Sequence, residues 1–201
     1  MLDYLQAGFW SLTYIFLIVY AVKFKMHGIP LVAICLNFAW ETVALANSLI
    51  YMRSIGPLVV HIAWLSLDLI IVALYLFHEK NSPKKQKLIF VSGYIGSTLL
   101  FVLLFKCGYM LLSSFCIDLI MAIDFLLFLY SHRVCKHWIS YLIAIAKLLG
   151  DMAAWLFYRN EPGINTIGIL VLICNISYLV ILLGKKGNEK GKSVHSTHRR
   201  K

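Results

Sequence analysis

Asn37-Phe38-Ala39-Trp40-Glu41 puts an amide, an indole and a carboxylic acid within about one helical turn, in the middle of the apolar run Gly28–Met52. A run of that length crosses a hydrocarbon core of about 30 Å as a helix, and Glu41 then falls near the bilayer midplane. A charged side chain at that depth costs about 3 kcal/mol on insertion scales, so an acid kept there faces protein and has a task. Residues three and four apart share a helix face, which makes Asn37, Trp40 and Glu41 one wall of a buried polar site. The plainer alternative is an acid that only hydrogen-bonds a neighbouring helix and ties the bundle together.

Other polar residues sit inside apolar runs. His61, Trp64 and Asp68 are spaced three and four apart and lie on one stripe of the third run, with Asp68 near mid-depth. Asp118 and Asp124 are about 120° apart around the fifth run and cannot both face one small pocket squarely. Lys147 and Asp151, one turn apart in the sixth run, can neutralise each other as a structural ion pair. Asn175 and Tyr178 share a face of the seventh run near mid-depth. Depth alone allows Glu41, Asp68 and Asn175 to converge between the second, third and seventh runs. Desolvation disfavours a carboxylate, and a neutral carboxylic acid is a proton donor for a weakly basic substrate. Aromatic faces stabilise cations, and Trp10, Trp40, Trp64, Trp155, Tyr51, Tyr75 and Tyr178 supply them. The combination suits protonation of a lipophilic substrate followed by carbocation chemistry. Glu41 and Asp68 are the candidate catalytic acids, and Asn37, Trp40, Trp64, Asn175 and Tyr178 the candidate substrate-binding residues.

The elements that position these residues are membrane helices. The chain has 201 residues, 61% hydrophobic and 14% charged, whereas ordinary soluble domains carry about a quarter charged residues. Seven apolar runs follow one another: Ala7–Phe24, Gly28–Met52, Pro57–Phe77, Leu88–Phe105, Tyr109–Tyr130, Trp138–Tyr158 and Gly163–Gly184. They are continuous rather than alternating, which excludes a β-barrel. The expected fold is all-α and polytopic, with a seven-helix transmembrane domain over residues 1–184 and a basic, disordered cytoplasmic tail over 185–201. Short links predict that consecutive helices are antiparallel neighbours. Pro30, Pro57 and Pro162 stand near helix starts, and Pro83 falls in the longest loop, Glu79–Lys87.

The net charge of +10 is distributed as membrane topology requires rather than as a nucleic-acid surface. Lys23 and Lys25, then Lys80, Lys84, Lys85 and Lys87, then Arg133 and Lys136, and finally the tail all fall on one side. Only Arg53, Lys106 and Arg159 fall on the other. This bias puts the N-terminus outside and the C-terminus in the cytoplasm, which demands an odd number of spans. The tail's charge is expected to sit near anionic lipid. Asp3 precedes the first run and no basic residue does, so that run is read as an uncleaved helix. Cys35, Cys107, Cys116, Cys135 and Cys174 have no metal-ligand or redox spacing and read as apolar filler. There is no phosphate-binding glycine loop, no H-E-x-x-H, no G-x-S-x-G and no Asp-rich diphosphate-ionising motif. No metal and no cofactor is expected.

Taken in order, several motifs resemble one family. They are Asn37-Phe38-Ala39-Trp40-Glu41, Trp64-x-x-x-Asp68, Lys147-Leu148-Leu149-Gly150 followed by Ala153-Ala154, and a polar residue before Tyr178. In these, and in length and helix count, the chain resembles the small seven-helix integral-membrane terpene cyclases of fungal meroterpenoid and indole-diterpene pathways and their bacterial relatives. The resemblance implies a metal-independent enzyme of lyase or isomerase type. Such an enzyme protonates a terminal epoxide or alkene of a prenylated lipophilic molecule, with Glu41 matching one acid. It also implies residence in the plasma membrane of a bacterium or the endoplasmic reticulum of a eukaryote. The family's second acid, three residues before the tyrosine of the last helix, is Asn175 here. Asn orients a donor but supplies no proton, so if both acids are needed three alternatives stand: the chain is inactive as a cyclase, it uses Asp68 or Asp151 instead, or it does something else. Two other readings use the same residues: a proton-coupled carrier of a small solute with the acids as a relay, and a receptor or assembly subunit whose acids are structural.

Overall fold

The computed structural model describes residues 2–25, 29–51, 55–78, 83–130 and 137–184. The expected tail, 185–201, lies outside the described residues. Seven α-helices follow in order: α1 (Leu2–Phe24), α2 (Leu31–Tyr51), α3 (Ile55–His78), α4 (Pro83–Lys106), α5 (Met110–Tyr130), α6 (Trp138–Tyr158) and α7 (Ile164–Gly184). Each is long and apolar enough to cross a membrane. The chain is an all-α, multi-pass membrane protein.

Helix edges follow local chemistry. α4 starts at Pro83 rather than at Leu88, so Lys84, Lys85 and Lys87 belong to its first turns and not to a loop. Proline fits the first helical position because its missing N–H has no partner there. Lysine and glutamine are good helix formers, and lysine stems cover apolar surface while their charged ends reach water. At the other end of α4, Gly108 takes φ +83°. The Tyr109 N–H then reaches the Leu104 carbonyl at 2.9 Å, and the Gly108 N–H reaches that of Phe105 at 3.0 Å. This glycine-terminated cap satisfies the last carbonyls and turns the chain into α5.

The expectation that consecutive helices are neighbours fails at two links. α1 packs chiefly on α6 and α3, not on α2, and α5 packs on α7 and α2, not on α6. The six-residue link 25–30 can span about 20 Å when extended, while packed helix axes stand about 8–10 Å apart. Short links therefore permit skipping one position. The result is a closed circuit of packed pairs, α1–α3–α2–α5–α7–α6 and back to α1, with α4 outside it against α2. α4 exposes the apolar stripe Leu88, Val91, Ile95, Leu99 and Leu103, as a helix facing lipid does.

Small residues set the close approaches inside the circuit, as is usual where lipid gives helices no hydrophobic drive to associate. Ala33, Ala39 and Ala44 of α2 are completely buried. A Cβ added to Gly150 of α6 would stand 3.0 Å from Trp10 Cδ1, and one added to Gly168 of α7 would overlap the Trp155 ring of α6.

Candidate functional site

The face of α2 read from the sequence points inward. Glu41 is 2% exposed and its Oε2 lies 2.8 Å from His61 Nδ1 of α3. One turn earlier, the Asn37 amide nitrogen donates to Tyr14 Oη of α1 at 2.5 Å and to both Asp68 oxygens of α3, at 3.0 and 2.9 Å. An amide nitrogen has two hydrogens, so one serves the carboxyl fork and the other the phenol. These contacts bind α1, α2 and α3 at mid-depth.

Trp40 and Trp64 flank this network. The Trp40 ring is braced from outside the circuit by α4, edge-on to Phe101 at 5.8 Å and Phe105 at 4.8 Å between centroids. Trp64 Nε1 donates to Ser11 Oγ at 3.0 Å, and that hydroxyl donates to the Ala7 carbonyl at 2.8 Å. Both indoles are thereby fixed in orientation without covering Glu41.

Beside Glu41 lies a cavity of about 40 Å³, walled by Trp10, Tyr14, Asn37, Trp40, Trp64 and Asp118 among others. One buried water needs roughly 10–15 Å³ measured this way, so this inner end holds a few waters or the tip of a ligand. A larger chamber of about 430 Å³ adjoins it, sharing Gln6, Trp40, Trp64, Ser114 and Asp118 and adding His61, Phe115 and Tyr158. Drug-sized ligands occupy sites of about 300–1,000 Å³. The chamber lies towards the start of α1 and the ends of α4 and α6, where Gln6, Gly108 and Tyr158 line it. Glu41 lines only the inner end and His61 only the outer chamber, so their hydrogen bond spans the junction.

A second polar group stands behind Trp10. Lys147 Nζ is 2.6 Å from Asp151 Oδ2, and the Asn175 amide donates to the same oxygen at 2.6 Å. The predicted ion pair forms, with both partners almost fully buried. Lys147 Nζ also lies 5.0 Å from the centroid of the Trp10 ring. Trp10 therefore stands between this cation and the cavity it lines.

The expected convergence of Glu41, Asp68 and Asn175 is corrected. Asp68 stays with Glu41 through Asn37, one layer behind the cavity wall, but Asn175 is committed to Asp151. α7 packs on α5 and α6, so matching depth did not mean matching direction. Tyr178 is buried edge-on to Phe125, 5.9 Å between centroids, and lines neither cavity. Of the two acids on α5, Asp118 lines both cavities, while Asp124 accepts the Ala33 N–H at 3.1 Å elsewhere.

Gln6, Tyr14 and Ser114 of the wall were not singled out from the sequence, and Trp10 and Asp118 were named there without a place in the site. Gln6, Trp10 and Tyr14 lie at successive spacings of four on α1, and Ser114 and Asp118 at four on α5. That spacing was a usable signal, masked because most aromatics of membrane helices serve packing or the interfacial belt.

Residues 1–151 match the Pyr4-like transmembrane terpene cyclases. The chain belongs to that family. No curated protein and no solved structure matches it. The matched stretch of this terpene cyclase family member contains Glu41, His61, Asp68, Asp118 and Lys147 and closes on Asp151. Asn175 and Tyr178 of α7 lie beyond it. Among the described residues no group of His, Cys, Asp and Glu is arranged to hold a metal ion.

Proposed function

We propose that this family member is an acid-initiated terpene cyclase in which Glu41 is the general acid. The observation that carries the reading is a carboxyl group held by His61 at 2.8 Å, buried among protein, and bordering an indole-walled cavity that widens to about 430 Å³. With Oε2 occupied by His61, Oε1 is the oxygen left to present a proton. That proton passes to the oxygen of a terminal epoxide, whose C–O bond breaks to leave a hydroxyl and a tertiary cation, or to a terminal alkene carbon. A second alkene of the prenyl chain attacks the cation and closes a ring. Loss of a proton from a neighbouring carbon ends the sequence, so the product is an isomer of the substrate and no co-substrate is consumed.

Asp68 and Asn37 are positioning residues in this reading, holding Tyr14 and the α1–α3 contact beneath Glu41. Trp40 and Trp64 line the cation's path. Asn175 acts through Asp151, and Tyr178 braces α5. The substrate is a prenylated lipophilic molecule drawn from the bilayer. The Lys and Arg bias supports an N-terminus outside and a C-terminus in the cytoplasm, which opens the chamber on the non-cytoplasmic face.

The test is conversion of a farnesylated phenol carrying a terminal epoxide to a cyclised isomer of unchanged mass. Membranes bearing the native chain are compared with membranes bearing Glu41→Gln. General acid catalysis contributes about 10²- to 10⁴-fold, and a loss in that range is expected. Full activity in the variant would remove Glu41 as the acid.

A further inference from the structure

Asp118 is the acid of the site that the mechanism leaves unused. It lines both the inner cavity and the outer chamber, which no other carboxylic acid among the described residues does. Among the described residues its carboxyl has no hydrogen bond and no ion pair, whereas Glu41, Asp68, Asp124 and Asp151 each have a partner. It lies within electrostatic reach of Glu41 and of the Lys147–Asp151 pair. Lys147 is already committed to Asp151 and to the Trp10 ring, so it does not neutralise Asp118 by contact. Around Asp118 stand Trp10, Tyr14, Trp40 and Trp64.

A single unpaired carboxyl inside an aromatic wall is the chemistry of a cation site. Indole and phenol faces attract a cation, and one acid supplies the compensating charge. We propose that Asp118 is the counter-charge of the chamber, binding lipophilic cations directly and, on the cyclase reading, the carbocation that Glu41 creates. A cation drawn against the carboxyl favours its ionised form. A neutral tertiary amine that enters takes up one proton, from the acid or from water, and remains as an ammonium against the carboxylate. The ligand class is a branched hydrocarbon chain bearing one positive centre.

The experiment uses N,N-dimethylfarnesylamine and a neutral hydrocarbon of the same shape as probes. The full chain sits in nanodiscs of zwitterionic lipid, and saturable change in tryptophan fluorescence reports binding, since three indoles line the cavity. Saturable amine binding is expected in the native chain, weakened roughly tenfold or more in Asp118→Asn, with binding of the neutral probe unchanged. Asp124→Asn, on the same helix but outside the chamber, binds the amine as the native chain does. Asp118→Glu keeps the charge and retains binding, and Asp118→Ser loses it, so the result does not hang on one variant folding. Native-like amine affinity in Asp118→Asn and Asp118→Ser overturns the proposal. So does absence of saturable amine binding in the native chain, or a loss seen only in Glu41→Gln. Because no turnover is read, an active Glu41→Gln would remove Glu41 as the acid without touching this proposal.

Discussion

Lys147→Met isolates the buried pair that stands behind the cavity. Lys147 and Asp151 are 4% and 2% exposed and 2.6 Å apart, and Asn175 donates to the same carboxyl oxygen. The other oxygen, Oδ1, has no partner among the described residues. Removing the ammonium leaves Asp151 with one amide for company. Breaking one side of a buried pair costs about 3–5 kcal/mol. The expected loss is therefore about 3–5 kcal/mol in SDS-driven unfolding from mixed micelles. The double variant Lys147→Met with Asp151→Leu removes both charges and strands only the Asn175 amide, at about 1–3 kcal/mol. It should recover stability relative to the single variant. A loss under about 1 kcal/mol in Lys147→Met, or a double variant worse than the single one, refutes the claim that this pair is dry and mutually dependent.

Two further outcomes rest on helix packing and on topology. Gly168→Ala puts a methyl group into the Trp155 ring, which its hydrogen bond to Asn165 at 3.0 Å holds in place; a loss of about 1–3 kcal/mol in unfolding is expected, and native stability would show that α6 and α7 are not packed this closely. Cys107 is exposed at the α4–α5 turn beside the chamber; in sealed cells an impermeant maleimide should label it from outside, while a cysteine placed at Lys25 in a Cys107→Ser background stays unlabelled until the membrane is opened, and the reverse pattern would invert the proposed orientation.

What the sequence disclosed was whatever lies along one helix. Depth and azimuth on a single helix are fixed by rise and by spacings of three and four. The Asn37, Trp40 and Glu41 wall, the His61, Trp64 and Asp68 stripe and the Lys147–Asp151 pair were all legible for that reason. Hydropathy marked seven spans, but the start of α4 was missed because lysines that belong to a helix also read as loop charge.

Helix partners were not legible, because packing between helices in lipid depends on small-residue contacts that carry no long-range pattern. The order of the circuit then decided the site. By packing α1 between α3 and α6, the chain brings Tyr14 within reach of Asp68, Glu41 and Asp118 and sets Trp10 between Lys147 and the cavity. By packing α7 on α5 and α6, it sends Asn175 to Asp151 and away from Glu41. In the family resemblance, the second acid belongs to the last helix. Here that helix carries an amide turned towards an ion pair, and the acid that lines the chamber comes from α5. A chain that relies on Asp118 for charge in the chamber has no need of a carboxyl group at Asn175. The amine and Glu41 experiments measure those two acids separately.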